Sequence, residues 1–331
     1  MENQKINKVA SKRRGFGAQQ LIVLLVAVLL FLFFSVASES FRRYTTIVTL
    51  CNYMYYTMLM AIGVTFPLIT GGVDLSIGTG LVCYAIVGSY AINHMGSPVW
   101  VGMIVVMVMA LIMGLINDTI IANLELPPFI TTLCTMMIAR GLGSILTGGF
   151  TGVWPAATAE GGWCRSIFKI TVGKTIVPIG LLWIIILLVL MSFVLRKTRV
   201  GRYIIAIGSN KEALRLSGVN VVRWHIIAYV LSGLFADLAS IAYAVTFTSI
   251  TPGTGAGFEL DAIGGAIIGG TSMSGGAGSV FSTFLGVLVI SLLKTGLPYI
   301  GLQSNWQQII TGIVLLVAVT VDMAKKRREA L

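Results

Sequence analysis

Six ionisable side chains lie in or beside the long apolar stretches of this sequence: Asp74, Asp118, Arg140, Asp237, Glu259 and Asp261. A charge in hydrocarbon is costly, so each should face a bundle interior or water. Their types and spacing make no catalytic set. There is no Ser/His/Asp arrangement, no paired-carboxylate site, no phosphate-cradling glycine loop ending in Lys-Ser or Lys-Thr, and no zinc spacing. Two histidines, His94 and His225, make a His/Cys metal site improbable. The four cysteines, Cys51, Cys83, Cys134 and Cys164, show no C-x-x-C pair and read as packing residues. What remains is recognition and passage of a solute, and the chain has no evident means of hydrolysing ATP. Asp74 stands apart because it sits inside a glycine motif. Its carboxylate can cap the next helix by accepting backbone N–H bonds. Alternatively, its charge can bind a coupling cation or carry a proton. Asp237 reads as a helix-packing partner, and Asn117 and Asp118 as lying close to a membrane surface.

The motif around Asp74 is repeated. GGVDLSIGTG (71–80) and GGTSMSGGAG (269–278) align without gaps as G-G-x-x-[LM]-S-x-G-x-G. The matched pairs are Gly71/Gly269, Gly72/Gly270, Leu75/Met273, Ser76/Ser274, Gly78/Gly276 and Gly80/Gly278. Glycine lets a helix break or another backbone approach closely. Irregular backbone at membrane depth is tolerated only where protein packs on it or water lines it. Glycine-interrupted segments at matching places in two halves point to a transport pathway. The plainer alternative is a pair of tight turns with close helix packing and no solute contact.

These residues must be held by apolar helices. The chain has 331 residues, 56% hydrophobic and 11% charged, with a mean hydropathy of +0.92. Soluble domains carry about 25% charged residues, so the fold class is an all-α polytopic membrane protein. Spans of about 20 apolar residues are expected near 21–36, 50–70, 77–94, 99–121, 129–148, 175–195, 224–246, 258–270, 277–297 and 305–323. The eighth is the shortest. The first could be read as a signal peptide cut after Ser35-Val36-Ala37; the many spans that follow favour a retained helix. Pro127-Pro128 marks a tight turn. The external segment 149–173 is too small for a folded domain. Its Trp154 and Trp163 are expected at the membrane interface or against an external partner.

Ten spans put both termini and the loop 196–225 on one side. That side carries Lys5, Lys8, Lys12, Arg13, Arg14, Arg196, Lys197, Arg199, Arg202, Lys211, Arg215, Arg223, Lys325, Lys326, Arg327 and Arg328. The other side carries Arg42, Arg43, Arg165, Lys169, Lys174 and Lys294. The positive-inside rule makes the first side cytoplasmic. It also accounts for the net charge of +11 without nucleic acid. The organisation is then a cytoplasmic segment 1–18, a transmembrane domain 19–324 and a basic cytoplasmic tail 325–331. Within the loop 196–225, Ser209 and Glu212 have capping-box spacing. Ala213, Leu214 and Leu216 supply apolar surface, and Gly218 is a suitable C′ residue. A short helix is expected there, serving as an interfacial anchor or as a docking element for a cytoplasmic partner.

Four strings in order, FPLITGGVDLSIG (66–78), LELPPFITTLCTM (124–136), TRVGRYIIAIGSNKEALRLSGVN (198–220) and FELDAIGGAIIGGTSMSGGAGSV (258–280), resemble the permease subunits of bacterial ABC sugar importers, of the ribose-type monosaccharide family. The resemblance covers about 45–325; the basic N-terminus and the 149–173 loop do not follow it. It implies a plasma-membrane permease that pairs with a second copy of itself and with a cytoplasmic ABC ATPase. ATP and Mg would be bound there, with no cofactor on this chain. It also implies an extracytoplasmic sugar-binding protein. Ser209, Asn210, Lys211, Glu212, Ala213, Arg215, Leu216 and Gly218 would belong to the helix coupled to the ATPase. Gly71, Gly72, Asp74, Ser76, Gly78, Gly269, Gly270, Ser274 and Gly276 would lie along the translocation pathway. Relatives of this kind import ribose, xylose, arabinose or galactose, and sometimes nucleosides or a furanosyl signalling molecule. Branched-chain amino acid permeases are more distant. A pathway with so few charges suits a neutral polar solute held weakly. The rival reading is a stand-alone secondary transporter or channel, with Asp74 as its ion site.

Overall fold

The computed structural model describes residues 17–124, 126–173 and 175–330. The five basic residues between Lys5 and Arg14 and the expected external Lys174 lie outside them. The fold is a bundle of helices: α1 (Ala18–Ala37), α2 (Tyr44–Thr70), α3 (Ser76–Asn93), α4 (Val99–Leu124), α5 (Pro128–Thr147), α6 (Gly180–Lys197), α7 (Arg199–Ser209), α8 (Lys211–Leu216), α9 (Val221–Thr246), α10 (Phe258–Ile268), α11 (Val280–Tyr299) and α12 (Ser304–Ala330). Among the described residues, nine helices are long and apolar enough to cross a membrane. They fall where the hydropathy places them.

The eighth expected span, 258–270, is different. Its helix α10 has 11 residues, about 16 Å at 1.5 Å per residue, which is half a membrane. Glycine sets both limits. Gly257 (φ +91°) is its N-cap, Gly255 (φ +98°) lies just before it, and Gly270 (φ +98°) follows it. The remaining distance is covered by non-helical backbone, 247–257. Part of its backbone is paired within the protein, in line with the need of irregular backbone at membrane depth for protein or water partners. Strand β4 (Ser249–Ile250) pairs antiparallel with β1 (Gly152–Val153). The Trp154 N–H donates to the Thr248 carbonyl at 3.1 Å.

The centre of the bundle is α2, packed against α9, α10 and α11, with α3 between α4, α5 and α9. Most of α2 is buried within the chain, 72% of its apolar window, against 6% for α12. Helices such as α12, α1 and α6 therefore turn apolar faces outward, where lipid or another subunit meets them. Lys294, expected on the outer surface, instead lies within α11. Its Nζ is 3.0 Å from Asp261 Oδ2 of α10. A charge placed among apolar helices is tolerable when paired in this way.

The two ends of the bundle differ. One gathers the start of α1, the end of α2, the α4–α5 turn, α7, α8 and the 270–279 loop. Gln20 of α1 donates to Ser282, and Ser272 donates to Asp322 of α12 at 3.2 Å. Both terminal helices thus reach the end that holds α7 and α8. The opposite end carries Arg42, Arg43 and the 149–179 segment, with its hairpin β2 (Ile170–Val172) and β3 (Thr175–Val177). Trp154 is not interfacial there. It is fully buried, and its Nε1 donates to the Ala85 carbonyl at 2.9 Å. Gly88 makes the room, since a Cβ on it would sit 2.9 Å from the indole. Trp163 remains exposed. Arg165 ties the segment down, donating to the carbonyls of Pro155 (2.7 Å) and Val245 (3.2 Å).

Candidate coupling helix and glycine junction

The basic loop contains two helices rather than one. The first, α7, was not expected from the sequence. Gly201, Ile204 and Ile207 are its buried residues, a three-residue spacing that puts them on one helical face. Arg199 and Arg202 are exposed. This apolar spacing was visible in RVGRYIIAIGS but was obscured by its basic flanks.

Ser209 does not cap α8. It is the last residue of α7, and its Oγ donates back to the Ile205 carbonyl at 2.9 Å. The N-cap is Asn210, in extended conformation (φ −161°, ψ 97°), whose Oδ1 accepts the Ala213 N–H at 2.9 Å. Because α7 runs through Ser209, the first residue free to leave helical dihedrals is Asn210, an equally good cap. Gly218 adopts the expected left-handed conformation (φ +77°) just beyond the C-cap, Ser217. The helix has six residues and buries none of them. Lys211 and Arg215, four apart, face a cavity under the helix. Leu216 is 87% exposed, and Glu212 is also exposed. The residues grouped from the sequence as one coupling set therefore divide between two faces.

Behind α8, three backbones meet. Gly208 of α7 packs so closely that a Cβ on it would overlap the Ile69 carbonyl oxygen and the Gly276 nitrogen. The Gly276 N–H donates to that same Ile69 carbonyl at 2.8 Å. Gly71 (φ +87°) ends α2 and lies against Ser274. The two glycine motifs are thus in contact with each other, and α7 locks onto both. The sequence singled out Gly71, Gly72, Gly269, Gly270, Ser274 and Gly276 but not Gly208.

Asp74 and Ser76 are buried. Asp74 Oδ1 accepts the Ser76 N–H (3.0 Å) and the Ser76 hydroxyl (2.6 Å). Its Oδ2 accepts the Ser232 hydroxyl of α9 at 2.7 Å. Asn117 of α4 donates to Ser76 Oγ at 2.9 Å. Asp74 thus accepts the backbone N–H at the start of α3 and links three helices. Gly78 lies one turn further into α3. A Cβ there would overlap the Glu259 carboxylate and sit 2.6 Å from the Glu259 backbone nitrogen. Gly72 gives similar clearance to the Tyr229 hydroxyl. Asp237 is fully buried, and neither of its carboxylate oxygens has a hydrogen-bond partner among the described residues.

Membrane-crossing helices interrupted at glycine turns, with no catalytic set among these residues and one exposed helix at the bundle's end, define a polytopic permease. The chain belongs to the family described as branched-chain amino acid transport system / permease component, which it matches over residues 46–319. It is similar to the ribose import permease protein RbsC of Escherichia coli (strain K12), 34% identical over 331 residues, covering 96% of this chain and 99% of that relative. It is also similar to the fructose import permease protein FruG of Bifidobacterium longum (strain NCC 2705), 33% identical over 98% of this chain and 97% of the relative. The galactose/methyl galactoside import permease protein MglC of Salmonella typhimurium is 32% identical over 93% of this chain and 94% of its own. No solved structure matches the chain at a significant level.

Proposed function

We propose that this chain is the membrane subunit of an ATP-driven sugar importer and carries a monosaccharide such as ribose across the plasma membrane. The observation that carries the reading is α8. It stands outside the bundle and exposes Leu216, while Gly208, three residues before its first residue, is wedged between the two glycine motifs. A capped helix that stands outside the membrane-crossing helices and buries none of its residues is open to a protein partner. A helix fixed to a packed junction can transmit that partner's movement. The similarity to whole-length import permeases for ribose, fructose and galactose supports a sugar as solute.

In this reading the partner is a separate cytoplasmic ATPase that binds ATP and Mg, and α8 seats on it through Leu216 and Glu212. The α8 end faces the cytoplasm, as its basic residues direct, and both termini lie there. Two copies of the chain enclose the pathway, and an external binding protein supplies the sugar. The glycine motifs set the inner mouth of that pathway through the positions they impose on α3 and α11. Asp74 shapes the mouth and does not couple an ion.

The test is reconstitution of the chain in proteoliposomes with its ATPase and binding protein. Uptake of labelled ribose should require internal ATP and no ion gradient. Leu216→Asp should lower ATPase retention on copurification at least about ten-fold, the effect of losing one anchor of roughly 1.4 kcal/mol, without changing the melting temperature of the permease. Uptake driven by a proton or sodium gradient, with no ATPase present, would establish a secondary transporter instead.

A further inference from the structure

Helix α5 carries an exposed charge at membrane depth. Arg140 lies 12 residues beyond the first residue of the helix, Pro128, and seven before the last, Thr147. At 1.5 Å per residue these are about 18 Å and about 10 Å of helix. The side chain is exposed. The ion pair found among the described residues is Lys294 with Asp261, and Arg140 takes no part in it. Glu125 precedes Pro128 by three residues and so belongs to the far end of α5. An arginine this deep is costly against lipid. Long basic side chains escape by reaching for the nearer membrane surface. For Arg140 the nearer end of α5 is the C-terminal one, whereas helical side chains lean toward the N-terminus. That lean takes the guanidinium toward the middle of the membrane.

The surroundings of Arg140 are open. Met137, three residues before it, is 66% exposed, and Ser144, four after it, is partly exposed; both share its face. A Cβ on the neighbouring Gly141 would meet nothing within 4 Å. The opposite side of α5 is fixed to the first glycine motif. Thr132 donates to the Val73 carbonyl at 3.2 Å, and the Met136 carbonyl accepts the Thr79 hydroxyl at 3.2 Å. On α6, by contrast, Leu182, Ile186, Val189 and Phe193 are exposed, an apolar face suited to lipid. Direct contact with a second copy does not neutralise Arg140 either. Among the described residues the exposed acidic side chains, Glu39, Glu160 and Glu212, lie outside the membrane-crossing helices. Two α5 faces brought together would oppose like charges. We infer that Arg140 lines a water-filled passage between two copies of the chain and donates hydrogen bonds to the hydroxyls of the passing solute. Its planar fork of N–H donors suits neighbouring hydroxyl acceptors. Its charge also repels cations, so a neutral solute passes and a cation does not. The solute contact rests on the importer reading; the water-filled passage does not.

The experiment uses the full chain in liposomes of neutral lipid, with Cys134, its one exposed cysteine, replaced by alanine; Cys51, Cys83 and Cys164 are buried. Met137→Cys is the reporter, because it leaves Arg140 in place. It should react with water-soluble anionic and cationic methanethiosulfonate reagents, whereas Ile186→Cys, at similar depth on α6, should not. Adding Arg140→Gln should lower the ratio of anionic to cationic reaction rates roughly five-fold, and Arg140→Lys should keep it. A role in packing alone would leave that ratio unmoved. In proteoliposomes with the ATPase and binding protein, Arg140→Gln should reduce the maximal rate of labelled ribose uptake, with partial rescue by Arg140→Lys. A Met137→Cys variant as unreactive as Ile186→Cys would overturn the passage, whatever the chain transports. An unchanged ratio in the Gln variant would overturn the exposed charge, and unchanged uptake would overturn the solute contact. Reactive Met137→Cys with a normal charge ratio, but no ATP-driven ribose uptake by the wild type, would uphold the passage and refute the importer reading.

Discussion

The stretches 71–80 and 269–278 share a sequence pattern and part of a structure. Both make the same turn at their centre. Asp74 accepts the Ser76 N–H at 3.0 Å, and Ser272, the aligned residue, accepts the Ser274 N–H at 3.3 Å. Beyond that turn they separate. In the first motif α3 starts at once with Ser76. In the second the chain continues through Gly275 (φ +81°) and Gly276 (φ +77°), and α11 starts only at Val280. Ile77 stands where the second motif has Gly275, and a β-branched residue does not adopt positive φ at acceptable cost. The leading glycines also differ in purpose. Gly71 has φ +87° and nothing nearer its missing Cβ than 3.7 Å, while Gly269 has φ −65° and no space. The first is glycine for its backbone, the second for its lack of a side chain. A shared pattern therefore specifies a local turn, and the neighbouring backbone decides the rest.

The sharpest break in this comparison comes at the turn itself. Asp74→Leu leaves three donors unpaired in a buried site and should cost about 3 kcal/mol or more. Asp74→Asn keeps the acceptor and should stay within about 1 kcal/mol. Ser272→Ala, the equivalent change in the second motif, should cost about 1 kcal/mol. Thermal denaturation of the purified protein should give that order, and an Asn variant as unstable as Leu would show that the charge matters more than the turn.

The next contrast is at the leading glycines. Gly269→Ala forces a methyl against the Ser282 carbonyl and within 2.7 Å of the Thr283 nitrogen, an overpacking cost of about 1–3 kcal/mol. Gly71→Ala meets Ser274 no closer than 3.7 Å and should cost only the left-handed backbone term, about 1–2 kcal/mol. A further change to valine separates the causes. It should worsen position 269 steeply through added bulk, and position 71 chiefly through φ. Equal responses of the two sites would make the motifs equivalent after all.

The smallest effect is expected beside the junction. Asn210→Ala removes the α8 cap and should cost about 1 kcal/mol of local helix stability. Ser209→Ala should be close to neutral, because its hydroxyl bonds only to the preceding turn. Faster hydrogen exchange at Ala213 and Leu214 in the Asn210 variant alone would be the signature. The reverse ranking would restore Ser209 as the cap.

That reversal between Ser209 and Asn210 marks the limit of reading the chain alone. Both residue types cap helices, and the spacing to Glu212 favoured Ser209. The choice depends on how far α7 extends, which its packing through Gly201, Ile204 and Ile207 decides. Lys294 shows the same limit. Its sequence surroundings do not reveal Asp261, 33 residues away, as its partner. Trp154 reads as interfacial until Gly88 is seen to open a slot for it.

The sequence by itself determined the membrane class, nine of the ten spans and the left-handed Gly218 beyond α8, and it offered the Asp74 turn as one of two readings. Each depends on a local quantity: apolar length, a positive φ, or an acceptor two residues ahead of a free N–H. Only the tertiary structure decided that α10 crosses half the bundle, that the glycine motifs touch each other, and that Lys211 and Arg215 of α8 face a cavity while Leu216 stays exposed. Those outcomes depend on which distant backbone comes within a few ångströms of a given residue, and close packing between remote segments leaves no periodicity in the chain.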